Sequence, residues 1–262
     1  MKKFPRIIAL VCLVVIGLNL SSCTSSKRSV LLRYNPKLGE TISSTVIIKQ
    51  KVGVDGQSPA FPVTTEIIMT MDMTATDKAD TLVTTNAQLK SMSFKSSMMG
   101  QTMYYDTDHL EELNPESAKI LEELKKKTFE IVFDIYGKTI SVPEDYPNKD
   151  MKFAPILPKE KVSKGSQWTV ELDTKINDME IHSIDTYTVK KITKKETEIE
   201  MNGIIASEIC SGNLTGNMTI DNETGLTTFW KMTMPLSMTL SANGVPYKST
   251  LLQTITLTIE KP

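Results

Sequence analysis

The chain has 262 residues, and 30 lysines and arginines stand against 31 aspartates and glutamates, a formal charge of −1. That balance leaves no basic footprint for nucleic acid. Cys12, Cys23 and Cys210 are too few for a disulfide scaffold, so the fold must rest on an apolar core, which a chain of this length can build.

The first element is a targeting signal. Met1-Lys2-Lys3 and Arg6 precede an apolar run at residues 7–18, the length of a signal-peptide core and short of the roughly 20 residues a membrane-spanning helix needs. Leu20-Ser21-Ser22-Cys23 follows, and it resembles the bacterial lipobox. The resemblance implies cleavage before Cys23 and acylation of its sulfur and new amino group, which would attach the protein to a membrane. Residues 1–22 are thus read as a lipoprotein signal peptide and 23–30 as a lipidated tether. Thr24 stands where aspartate would retain an enterobacterial lipoprotein at the inner membrane, and the polar residues behind it lack the acidic cluster of a surface-export signal. The expected location is the outer membrane, on its periplasmic face, with the cell surface as the alternative.

The mature chain alternates, as half-buried strands do. A first strand is predicted at 41–54. From Phe61, the odd positions Val63, Ile67, Met69, Met71, Met73 and Ala75 are apolar, against Thr64, Glu66, Thr70, Asp72 and Thr74. In the next strand, 81–95, the apolar phase switches between Leu89 and Met92, which predicts a bulge near Lys90. Residues 106–127 read as helical. Asn114-Pro115-Glu116 is a cap with proline at the first helical position, and Asp108 is expected to cap a shorter turn before it. Ile120, Leu121 and Leu124 form a stripe expected to lie across the sheet or over one end of it. Strands at 129–135 and 138–142 complete a first β half, 31–142.

A proline-rich connector, 143–165, leads to a second β half, 166–262. Strands are predicted there at 168–176, 181–192, 197–209 and 214–220. A long strand from Leu226 then carries Trp230, Met232, Met234, Leu236 and Met238 on one face, and Leu251, Ile255, Leu257 and Ile259 mark the last strand. Pro235 interrupts the best pattern and suggests an edge strand or a bend. Turn signals at 55–56, 77–80, 136–137, 222–225 and 243–244 separate the strands. The fold class is mainly β: a curved antiparallel sheet or half-barrel of two similar halves, with one short helical segment.

Three stretches carry a family resemblance: residues 31–39 (Leu31-Leu32-Arg33-Tyr34-Asn35-Pro36-Lys37-Leu38-Gly39), Phe133-Asp134-Ile135-Tyr136-Gly137, and residues 157–168 ending in Lys164-Gly165-Ser166-Gln167-Trp168. They resemble an uncharacterised lipoprotein family of Bacteroidetes, which implies no activity. More distantly, a two-halved, methionine-lined sheet resembles the periplasmic lipoprotein and lipid carriers, whose half-barrels hold acyl chains.

One helix cannot cover the dry face of so many strands. Either the sheet packs a solid core, or it curves around a cavity that a ligand fills. Methionine, being flexible and polarisable, suits an irregular apolar guest. The residues expected to line such a surface are Met69, Met71, Met73, Trp230, Met232, Met234 and Met238. Thioethers two apart also suit Cu(I), but alternation alone produces that spacing. His109 and His182 stand far apart with no ligand cluster around them, so no metal or cofactor is assigned. Nucleophile elbow, P-loop, zinc-protease and dinucleotide motifs are all absent from the sequence, and no catalytic residue is assigned. Asp80-Thr81-Leu82 resembles the O-glycosylation motif of Bacteroidetes, with Thr81 as acceptor. The expected function is non-catalytic binding of a lipid or acylated molecule by a lipid-anchored envelope protein. The alternative is a structural or partner-binding envelope module with a solid core.

Overall fold

The computed structural model describes residues 28–54, 62–144, 146, 155–176, 179–242 and 245–260. The signal, Cys23, and the turns at 55–56 and 243–244 lie outside them. The described residues are mostly β, in a curved antiparallel sheet that does not close into a barrel.

The elements in chain order are β1 (Ser29–Val30), β2 (Thr41–Val54), β3 (Val63–Ala79), β4 (Leu82–Met98), β5 (Gln101–Asp106), a single 3-10 turn (Leu110–Glu112), α1 (Pro115–Lys126), β6 (Thr128–Asp134), β7 (Thr139–Ser141), β8 (Val162–Ser163), β9 (Gln167–Ile176), β10 (Met179–Ile192), β11 (Glu196–Ala206), β12 (Cys210–Asp221), β13 (Thr227–Ala242) and β14 (Val245–Glu260). The large sheet runs β7-β6-β4-β3-β2-β14-β13-β12-β11-β10-β9, with β5 paired to the far end of β4. Each half is a meander. The halves join where β2 pairs β14, from Ser43↔Glu260 to Val54↔Ser249.

Register places the apolar alternation on one face. One row crosses the sheet as Met92, Met69, Val46, Leu257, Trp230, Met218 and Ile199. The predicted bulge is present: Ser91 pairs Thr70 and Leu89 pairs Met71, so Lys90 is the extra residue that resets the phase. Curvature lets both halves share one core. Ile42, Val46, Ala75 and Ile131 from the first half cluster with Val189, Ile199, Met201 and Met218 from the second.

Three expectations are corrected. β13 is not an edge strand, because it lies between β12 and β14 with Pro235 opposite Leu252. On its other side the β12 ladder skips from Thr215↔Thr233 to Gly212↔Leu236. Gly212 lets the Pro235 carbonyl approach where a Cβ would collide, so the missing N–H is accommodated inside the sheet. Asp108 does not cap the short turn; its backbone N–H donates to Asp106 Oδ1 at 2.8 Å and its carboxylate pairs with Lys125 at 3.1 Å. The helix does not lie buried on the sheet. Asn114 caps it by accepting from Ser117 N–H at 2.9 Å, but none of its residues is buried and Ile120 is 60% exposed. Three apolar residues make a narrow stripe, with Leu121 and Leu124 half-buried, and the helix rests against β4 and the 3-10 turn.

A strap crosses one end of the sheet. Residues 28–37 and 155–166 meet as the β1–β8 pair. The Arg33 guanidinium donates to the Pro158 carbonyl at 2.8 Å and to the Lys159 carbonyl, and sits 4.7 Å from the Tyr136 ring centre. Backbone bonds fasten the strap to turns of both halves: Tyr34 N–H to the Ile135 carbonyl (2.8 Å), Asn35 N–H to the Thr224 carbonyl (2.7 Å) and Gly165 N–H to the Val189 carbonyl (2.8 Å). Leu32 is fully buried beneath it. Gly225 has φ +65°, and a Cβ there would strike the Arg33 carbonyl. Gly225→Ala therefore combines left-handed strain with a backbone clash, and should cost about 2–4 kcal/mol. Urea denaturation measures the loss, and an unchanged midpoint would show that the strap does not seat against this turn.

Candidate functional site

The dry face is hollow under the strap and closely packed around Met201 and Met218. A cavity of about 160 Å³ lies under the strap. It opens into a cleft whose unfilled space, counting open solvent, is about 1120 Å³. Met69, Met71 and Met73 of β3 form one wall. Their neighbours in register on β2 are Val46, Ser44 and Ile42, and beyond these come Leu257 and Ile259 of β14. Tyr34, Pro155 and Leu157 of the strap form the roof, and Phe133 lies 5.2 Å from Tyr34 between ring centres.

The space exists because small side chains stand where the second half has large ones. Ser44 and Ala87 line it. In the second half, Met201 and Met218 are fully buried, and the Met201 methyl reaches toward the space left by Gly216. Trp168 stacks on Tyr187 at 5.1 Å there. Dense filling of that kind excludes a guest.

The seven residues expected to line a ligand surface share one face but not one environment. Met69, Met71 and Met73 are half-buried and line the cavity. Trp230, Met232 and Met234 are buried in the filled core, and Met238 is half-buried opposite Cys210 near the far end. Sequence reasoning missed Tyr34, Ser44 and Leu157. The Ile42–Val46 alternation contains the signal for Ser44, whereas the strap residues carry no periodicity that could place them.

Among the described residues no charged side chain lines the cavity; its polar groups are hydroxyls such as Tyr34, Ser44 and Tyr146. Burial raises the Tyr34 phenol above its ordinary range, slightly offset by its long contact with Thr85 Oγ1 at 3.5 Å. Burial raises Tyr146 as well. Such a lining holds apolar matter and offers no base beside a nucleophile. Among the described residues no group of three His, Cys, Asp or Glu side chains could hold a metal. His182 Nδ1 lies 2.8 Å from Asp173 Oδ1 on the exposed β9–β10 surface. His109 is exposed before the 3-10 turn. Thr81 is exposed in the β3–β4 turn. The Cys210 thiol is buried, and desolvation raises it. Among the described residues no helix is long and apolar enough to cross a membrane.

Among the described residues two buried polar atoms on the dry face lack a hydrogen-bond partner, Trp230 Nε1 and Asp185 Oδ1. The Asp185 carboxylate lies over Gly203, where a Cβ would displace it. The residue is 6% exposed, and desolvation raises its pKa from 3.8 to about 6. Its charge in turn helps burial raise the Tyr187 phenol.

A family profile described as "Family of unknown function (DUF6263)" matches residues 80–144 and 151–227. No curated protein sequence matches the chain. Among solved structures, one titled "Lipid-protein interactions in lipovitellin" is 10% identical with a TM-score of 0.54. The match covers 86% of this chain and 25% of that one, so the chain spans about a quarter of the lipovitellin chain. The likeness shows a shared fold. DynF from the dynemicin biosynthesis pathway of Micromonospora chersina is 11% identical with a TM-score of 0.23, over 87% of this chain and 84% of that one. That score is too low to argue from.

Asp185 makes stability depend on pH. Its folded pKa lies above the unfolded value, so its contribution is fully favourable below about pH 4 and is lost as pH rises through about 6. The loss should reach about 2–3 kcal/mol by pH 8. Asp185→Asn should flatten that slope while matching the parent near pH 4. Denaturation midpoints across the range measure it; a parent protein equally stable at pH 5 and 8 would show the carboxyl to be hydrated.

Proposed function

We propose that this chain, which belongs to the DUF6263 family of unknown function, binds the acyl part of a lipid or acylated molecule without catalysis. The observation that carries this reading is the uncharged cavity beside Met69, Met71 and Met73, under the strap, in a sheet closely packed around Met201 and Met218. An apolar hollow left by small residues forfeits dispersion contacts, and a flexible hydrocarbon restores them. The likeness to lipovitellin supports the reading, since a similar curved sheet occurs in a protein described by its lipid interactions. The lipobox-like Leu20-Ser21-Ser22-Cys23 supports the further proposal of an acylated Cys23 on the periplasmic face of the outer membrane.

A second reading, an envelope module that binds a protein partner, has one observation in its favour. Trp230, Met232 and Met234 belong to a tightly filled core. Native mass spectrometry of the purified protein separates the two. The lipid reading expects a co-purifying acyl compound, and its repeated absence would favour the module.

Met71→Trp should fill the cavity and weaken displacement of a fluorescent fatty-acid probe at least about tenfold, or ~1.4 kcal/mol. Its thermal midpoint should stay near that of the parent. If the parent binds no probe, or the variant binds equally well, the cavity is not the site. Cys23→Ala should abolish radiolabelled palmitate incorporation in the native host; label retained by the variant would place the lipid elsewhere.

A further inference from the structure

We infer that the β4–β5 hairpin is a docking tip that inserts into the headgroup layer of an anionic phospholipid surface. This goes beyond ligand binding, because it concerns the opposite end of the sheet and stands whether or not the cavity holds lipid.

The tip is apolar where a hairpin turn is ordinarily polar. Met98, Met99, Met103 and Tyr104 are 52%, 65%, 49% and 48% exposed. Met98 and Met103 share the face that carries Met69, Tyr104 lies on the other, and Met99 is at the apex. The turn residues Met99 and Gly100 have φ of +52° and +79°. Two consecutive left-handed residues favour Asn-Gly, and a bulky side chain at the first is disfavoured. The sequence thus places an exposed apolar residue where both solvation and backbone preference oppose it. Such an outlier is best explained by something the side chain enters. The base of the hairpin is braced. Phe94 lies 5.8 Å from Tyr105 between ring centres, and Ser97 bonds Thr102 at 2.9 Å.

Charge selects the occupant. Beside the hairpin, a groove of about 420 Å³ on the convex face contains Lys49, Lys51, Lys95 and Glu66. Register aligns Lys49, Glu66, Lys95 and Tyr104 in one row, and Lys51, Thr64, Ser97 and Thr102 in the next. Lys49 pairs with Glu66 at 2.8 Å. Among the described residues Lys51 and Lys95 form no ion pair, so the groove keeps an excess of positive charge. Methionines entering the acyl boundary and lysines reaching phosphates form one interfacial pattern, beside which the Tyr104 hydroxyl donates to Asp106 Oδ2 at 2.6 Å. The tip lies at the end of the sheet opposite the strap. The Leu82–Met98 strand alone spans roughly 50 Å. The few residues between Cys23 and Arg28 reach at most about 20 Å. An acylated Cys23 would therefore hold the strap end, leaving the tip to meet a second lipid surface or the same one with the sheet lying flat.

The test uses full-length protein, mixed with phosphatidylcholine vesicles with or without phosphatidylglycerol. The N-terminus can bind either kind, so the readout is site-resolved methionine oxidation by peroxide. With phosphatidylglycerol, oxidation of Met98, Met99 and Met103 should slow by about fivefold or more, and high salt should reverse the effect. Met201 and Met218, each 1% exposed, should stay unreactive throughout and report an intact fold. K51E/K95E should lose the protection. Met99→Asn should raise Tm by suiting the turn, yet leave Met98 and Met103 unprotected. Equal oxidation in both vesicles overturns the inference, as does protection that survives K51E/K95E. Protection obtained only with a purified envelope protein, and with neither vesicle, would assign the tip to a protein partner.

Discussion

The pairing of β2 with β14 is the constraint on which the molecule depends. It joins the first long strand to the last and turns two meanders into one sheet. Without it each half would expose an edge of more than ten residues and a dry face with nothing opposite. With it, the face is continuous and its curvature brings both halves into one core. The contact joins residues about 200 positions apart, so loop-closure entropy opposes it until the intervening meanders form.

Sharing a core does not make the halves equal. Each row of the dry face crosses both, as the row through Met69 and Trp230 shows. On one side large residues interlock around Gly216, with Met201 filling the gap. On the other Ser44 and Ala87 leave room, and the strap roofs it. The asymmetry comes from side-chain volume on an otherwise regular sheet, and the cavity lies under the strap between β3 of the first half and β14 of the second.

The strap also sets the polarity of the molecule. It locks one end through Arg33, Leu32 and the Gly225 turn, while the other end is left to hairpin tips. Arg28 lies at the locked end, next to the β1–β8 pair. The hollow and the strap thus lie together, and the exposed methionines of the β4–β5 hairpin lie away from them.

Alternation in the sequence determined the long strands, the dry face and the bulge at Lys90, because a period of two is a local property of the chain, whereas β1, β5 and β8 were not legible in it. Asn114 and Pro115 likewise determined where the helix starts. Met69, Met71 and Met73 were legible as inward-facing for the same reason, and so were Trp230, Met232 and Met234. Alternation cannot say which of them face a hollow, since that depends on the volume of residues far away in sequence and on a strap with no periodicity. The place of Pro235 inside the sheet, opposite Leu252, was also decided only in three dimensions. Local pattern tells a side chain which way to point; long-range pairing and packing decide what it meets there.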